Sequence, residues 1–220
     1  MAGNRGSYQP LLRSQTLVGQ LKLLRKLFRF QECYLADLDS IVCQQPQRLV
    51  WCELADVVEQ LWLDAGICTA GSLPDLHLPA NVTPVVGSET AAELDGLLEA
   101  AASTDLIFSL DLRQGTPIAA DPSWQGLSSI QFARQLVHRG AKKLILLDLA
   151  AVGVGQGVPT LPLCQQLKRE FPDLFLITGG GVRSADCLLQ ARDAGVDALL
   201  VASAVHDGRI TPEDVRRVRG

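Results

Sequence analysis

Three short motifs of this 220-residue chain recur in the same order at nearly one spacing. "YLADLDSI" lines up with "ILLDLAAV", setting Asp37 on Asp148, 111 positions apart. "LWLDAG" lines up with "FLITGG" and sets Gly66 on Gly180 at a distance of 114. "VVGS" lines up with "LVAS" and sets Ser88 on Ser203 at 115. An ordered internal repeat constrains the architecture before any local propensity does.

The repeated motifs sit in continuous apolar runs at 33–42, 61–67, 82–88, 106–112, 143–152, 174–181 and 198–205. Amphipathic stretches such as "SETAAELDGLLEAAA" and "GLSSIQFARQLVHRG" separate them, the second stopping at Gly140, a usual helix C-terminal signal. Continuous rather than alternating strands, each separated by a helix, indicate a parallel sheet. Together with the repeat they predict an α/β fold, a TIM (βα)8 barrel of two half-barrel repeats, with residues 1–220 as one domain. Only seven runs are present, however. Carrying "LIFSLDL" back by the repeat spacing puts its counterpart at about −9 to +1, before the chain starts. The first strand is therefore expected to be missing, and with it the counterpart of Asp111.

Composition narrows the function. At 47% hydrophobic residues the chain can bury a large core. A formal net charge of −4 argues against general nucleic-acid binding, so an anionic ligand has to be held by local backbone N–H groups. No apolar run approaches the ~20 residues of a membrane span and nothing resembles a secretory leader, which predicts a cytoplasmic location. The helix expected in "TLVGQLKLLRKLFRF" puts Leu17, Leu21, Leu24 and Phe28 on one face and Lys22, Arg25, Lys26 and Arg29 mainly elsewhere. It reads as an outer barrel helix rather than a membrane-surface one. Cysteines 33, 43, 52, 68, 164 and 187 form no C-x-x-C pair and read as reduced core thiols. His77 and His138 look solvent-facing and His206 looks like a surface-loop residue, so no metal and no cofactor is expected.

"ADLDSI", "SLDLRQG", "TGGGVRS" and "VASAVHDGRI" resemble strands two, five, seven and eight of the histidine-biosynthesis (βα)8 barrels, a family with an isomerase and a sister cyclase. "NRGSYQPLLRSQ" is similar to that family's loop after strand one, and the resemblance runs from about Gly3 to Arg219. It implies an Amadori rearrangement of a phosphoribosyl-type aminoaldose to an aminoketose. That chemistry needs an acid to open the ribose and a base to take a proton from carbon 2, a task for two carboxylates held apart in pKa. In the family, strand one supplies one Asp and strand five the other. By resemblance Asp111 is the strand-five residue and the general acid. Gly179, Gly180 and Gly181 precede a helix that Ser184 is placed to cap, and with Ala202 and Ser203 they correspond to the barrel's phosphate site. The family's second phosphate site falls on Gly66, Gly87 and Ser88. There "DAGICTAGS" departs from the family's glycine-rich turn, so a phosphorylated substrate is better supported than a bisphosphorylated one.

Asp37 and Asp148 read equally as pocket-lining or as turn residues. Two other readings stand beside the isomerase: a paralogue in one-carbon, tetrahydromethanopterin-linked metabolism, and a phosphate-ligand binding barrel that has lost catalysis. The cyclase is weaker, since it also expects the strand-one Asp and needs a glutaminase partner. The missing strand further predicts a barrel open between strands two and eight, a monomer or a homodimer through those edges, and no isomerase activity for the chain alone. It also predicts a reading frame that continues upstream by ~10–20 residues, through a strand ending in Asp.

Overall fold

The structure, a computed structural model, describes residues 16–219. Its strands are β1 (Glu32–Ala36), β2 (Gln60–Asp64), β3 (Val82–Gly87), β4 (Ile107–Arg113), β5 (Thr116–Pro117), β6 (Lys143–Asp148), β7 (Phe175–Gly179) and β8 (Ala198–Leu200). Seven of them form one parallel sheet in the order β1-β2-β3-β4-β6-β7-β8, and β5 folds back antiparallel on β4. The helices are α1 (Leu17–Phe28), α2 (Leu38–Cys43), α3 (Arg48–Ala55), α4 (Leu94–Ala100), α5 (Ser129–His138), α6 (Leu161–Glu170), α7 (Ala185–Asp193), α8 (Ser203–His206) and α9 (Pro212–Arg219). This is the α/β barrel architecture read from the repeat.

Alternation along each strand divides the core in two. Trp62, Val85, Ile107, Ile145 and Ile177 point inward and fill the barrel, with Tyr34, Leu147 and Leu200 packed against them. Phe108, Leu110, Leu112, Leu144 and Leu146 point outward, under Leu97, Phe132, Leu136 and Leu167 of the helices. The repeat is visible in the backbone too: Gly66 and Gly180, its paired glycines, both take positive φ, at 71° and 79°.

Three expectations are corrected. The runs at 33–42, 143–152 and 198–205 end as strands at Ala36, Asp148 and Leu200. The first stops early because Asp37 caps α2, accepting a hydrogen bond from the Ser40 N–H at 3.0 Å. Between β2 and β3 there is no α-helix, only 3-10 turns at Ala70–Ser72 and Pro74–Leu76. The cysteines are not all core thiols. Cys164 and Cys187 are buried, with the Cys164 thiol pushed up to about 12 by burial, whereas Cys43, Cys52 and Cys68 are exposed.

Among the described residues no strand pairs with the outer edge of β1 or of β8, the two edges between which the sequence reading sets the first strand. The helical layer nevertheless meets outside the seam, where the Arg219 guanidinium donates to the Arg29 carbonyl at 3.3 Å. Beneath it lies a cavity of about 850 Å³, lined by Leu21, Phe28, Tyr34, Leu200 and Val215. The stretch "SYQPLL", expected to fill only part of this gap, lies outside the described residues. No helix of the described residues is long and apolar enough to cross a membrane.

Candidate active site

Asp111 is the fifth residue of β4 and shares the inward parity of Ile107 and Ser109, which aims its carboxylate into the barrel at the C-terminal end of the strand. Only 4% of it is exposed. Its Oδ1 accepts from the Ser109 hydroxyl at 2.8 Å, and its Oδ2 lies 3.4 Å from the Glu89 N–H donor. Its own N–H donates to Ser88 Oγ at 3.0 Å, and that hydroxyl donates onward to the Ile118 carbonyl at 2.7 Å. Ser88 thus braces β4 against the chain that leaves β5.

Asp148 lies on the opposite parity, with Leu144 and Leu146, and acts on the same hairpin from outside. Its carboxylate accepts from Gln114 N–H at 3.1 Å, Gly115 N–H at 2.8 Å and Ala150 N–H at 3.0 Å. Gln114 and Gly115 both have positive φ, as a tight hairpin turn requires, and Asp148 holds them there. Asp37, its repeat partner, is bound just as fully. It accepts from Ser40 N–H, from Gln47 N–H at 2.8 Å and from Trp51 Nε1–H at 2.7 Å. Of the two readings left open for these aspartates, the hydrogen bonds fit the turn residue. Asp37→Ala removes the cap of α2 and leaves the buried Trp51 N–H without its acceptor. The unfolding free energy is expected to fall by about 2 kcal/mol in urea titration, with activity per folded molecule held within about twofold.

Sequence reasoning missed Asp64. It ends β2, two residues beyond the inward Trp62, and is 5% exposed. Its Oδ1 accepts from Gly66 N–H at 3.1 Å and its Oδ2 from the Tyr34 hydroxyl at 3.3 Å. Gly87, on the strand between, shows how close the two acids are. A side-chain carbon built on Gly87 would lie 3.1 Å from Asp111 Oδ2 and 3.8 Å from Asp64 Oδ2. The spacing W-x-D carried the signal, because it sets Asp64 on the parity of Trp62, but the motif was weighed for its glycine. Of the residues assigned to a second phosphate, Gly66 and Gly87 thus border the carboxylates and Ser88 is engaged as the brace.

At the other side of the mouth the three glycines after β7 have separate physical reasons. A Cβ on Gly179 would stand 2.7 Å from that of Leu200, so its absence lets β7 and β8 approach. Gly180 and Gly181 take φ of 79° and 81°. A Cβ on Gly181 would lie 2.0 Å from the Gly157 carbonyl oxygen, and Gly157 N–H donates to the Gly181 carbonyl at 2.8 Å. Ser184 precedes α7 in extended conformation, as expected of a cap, but its side chain makes no capping hydrogen bond. Gly180, Gly181, Ala202 and Ser203 all line the same cavity as Tyr34. His206, expected on a surface loop, instead ends α8, half-buried, and also lines that cavity. His77 and His138 are exposed as expected. No group of three or more His, Cys, Asp or Glu among the described residues is arranged to hold a metal ion.

Comparison with known proteins matches residues 14–211 to the family described as "Histidine biosynthesis protein". Curated relatives named 1-(5-phosphoribosyl)-5-((5-phosphoribosylamino)methylideneamino) imidazole-4-carboxamide isomerase are similar over long stretches. The Bacteroides thetaiotaomicron protein is 29% identical over 122 residues, 54% of this chain and 50% of the relative. The Rubrobacter xylanophilus protein is 30% identical over 166 residues, 73% and 66% of the two chains. The Lacticaseibacillus casei protein is 27% identical over 201 residues, 87% and 82%. The chain thus spans about half the length of the first of these relatives.

Proposed function

This chain belongs to the histidine biosynthesis protein family, and from that membership we propose that it isomerises a phosphorylated aminoaldose to the aminoketose, as the names of its relatives describe for their own substrate. The observation that carries the reading is Asp111, a buried carboxylate aimed into the barrel mouth from the strand end where such barrels place their chemistry. Its carboxyl donates a proton to the ribose ring oxygen as the C1–O bond breaks and the nitrogen lone pair closes a C1=N bond. Removal of the carbon-2 proton and protonation of carbon 1 complete the shift, which oxidises carbon 2 and reduces carbon 1 within one molecule. Acid and base suffice for that balance.

Gly180, Gly181 and Ser203 offer the substrate's phosphate backbone N–H groups in a mouth whose overall field does not favour anions. One phosphate is the reading we favour. A second one at Gly66, Gly87 and Ser88 would have to sit beside two carboxylates. We place the reaction in the cytoplasm, with a monomer, or a homodimer through the open edges, as the working unit.

The test is to incubate the protein with the substrate that names its relatives and to follow ketose formation by carbon-13 NMR. Conversion at a rate unchanged by EDTA is expected, in place of the inactivity that the reading of a missing first strand predicts. Tight binding without conversion would instead favour the catalytically impaired binding barrel.

A further inference from the structure

We propose that Arg113 sets the substrate class of this site, by gripping a second oxyanion on the substituent that the amine nitrogen carries. The proposal rests on the isomerase reading above and goes beyond its single phosphate at the glycine loops. Two cations lie within the strands of the described residues. Lys143 opens β6 at the end away from the mouth and pairs with Asp105 at 2.7 Å. Arg113 closes β4 at the mouth and is exposed, and among the described residues its guanidinium has no hydrogen bond or ion pair.

The hairpin that carries Arg113 fixes its place. Inward parity runs along β4 from Ile107 through Ser109 and Asp111 to Arg113. Thr116 lies opposite Arg113 across the two-residue turn and shares its side, while Leu112 and Pro117 take the other. The hairpin continues the barrel wall above the rim. Ile118 N–H donates to the Asp111 carbonyl at 2.8 Å, and Ala120 N–H to the Ser88 carbonyl at 2.9 Å. Asp148 holds the turn itself through the Gln114 and Gly115 N–H groups. The backbone under Arg113 is therefore set in advance, and only the side chain's own torsions have to settle when an anion arrives.

Two residues along a strand span ~6.8 Å, so Arg113 stands that much farther out of the barrel than Asp111. With the sugar phosphate on Gly180, Gly181 and Ser203 and the ring oxygen at Asp111, the part of the substrate that reaches past the rim is the substituent on the amine nitrogen. A guanidinium offers five N–H donors in one plane and takes a phosphate or carboxylate by two of them at once. The glycines assigned to a second phosphate lack such a charge, since Gly66 and Gly87 border carboxylates. Arg113 supplies it from the rim. The substrate class is then an aminoaldose phosphate whose nitrogen substituent ends in an oxyanion, and a neutral substituent of the same length makes a poor substrate.

The test compares the substrate that names the relatives, which carries a phosphoribosyl group on its imidazole ring, with the same molecule lacking that one phosphate. Turnover is followed on the two substrates, and binding by calorimetry on the two aminoketose products. The wild type is expected to bind the full product about 10- to 100-fold more tightly than the truncated one, the range of a charge-assisted pair, and to show the same margin in kcat/KM. Arg113→Ala is expected to lose that margin by weakening the full ligand alone, with kcat at saturation within about threefold. Arg113→Lys keeps the charge but not the paired donors, and is expected to retain only part of the margin. Because the guanidinium bonds to nothing in the described fold, both variants are expected to keep the wild-type urea midpoint. A margin that persists in Arg113→Ala, or a wild type that binds both products alike, would overturn the inference and leave the isomerase reading standing. Binding that depends on Arg113 without any turnover would overturn the isomerase reading alone, and leave Arg113 as the anion grip of a binding barrel.

Discussion

Asp111→Asn is expected to lower turnover by about 10²- to 10⁴-fold, the range that a positioned acid contributes, while the protein keeps its fold. The amide fills the same volume and its oxygen still accepts from the Ser109 hydroxyl. The Ser88 brace runs through the Asp111 backbone N–H, so it survives the change. The new NH2 faces the Glu89 N–H that Oδ2 met at 3.4 Å, so the cost in stability is expected to be about 2 kcal/mol. Rate measurements at saturating substrate, paired with urea denaturation, check both halves. A variant that keeps more than about a tenth of the wild-type rate removes Asp111 from acid catalysis.

Gly181→Ala is expected to have the largest structural effect of any single methyl added at the mouth. The new carbon meets the Gly157 carbonyl oxygen at 2.0 Å, and the φ of 81° is already strained for alanine. Because Gly157 N–H is bonded back to Gly181, the two backbones cannot separate without losing that bond. A loss of about 3–5 kcal/mol is expected, with inhibition by phosphate esters weakened at least tenfold. Gly208→Ala is the control. It has a similar φ of 70° but nothing within 4 Å of the added carbon, so it is expected to cost only about 1 kcal/mol.

The barrel was legible because a repeat of three strands and the alternation of strands with helices are long-range, redundant signals. The strand ends were less so. In "CYLADLDSIV" the apolar residues continue past Asp37, and only the capping of Ser40 and Gln47 by that carboxylate shows why Ile41 and Val42 turn into a helix. The same ambiguity kept Asp37 and Asp148 open, since a carboxylate after a strand reads alike as ligand or as cap. Counting parity from Asp111 along each strand would have set Asp148 outside and Asp64 inside. The exposure of Cys43, Cys52 and Cys68 was not legible, because a cysteine next to apolar residues in sequence lies on either face of a short helix or turn. Nor was the fate of Ser88: its bond to Ile118 joins residues 30 apart, and no local pattern reports that.

One measurement tests most directly whether Asp111 and the glycine loops serve a single substrate. It is a structure of the protein bound to the aminoketose phosphate made by its relatives' reaction. The account expects the phosphate on the N–H groups of Gly180, Gly181 and Ser203, with the carbon-4 hydroxyl, the former ring oxygen, within hydrogen-bonding reach of Asp111. A phosphate bound elsewhere, or a sugar whose carbon-4 hydroxyl points away from Asp111, would contradict it.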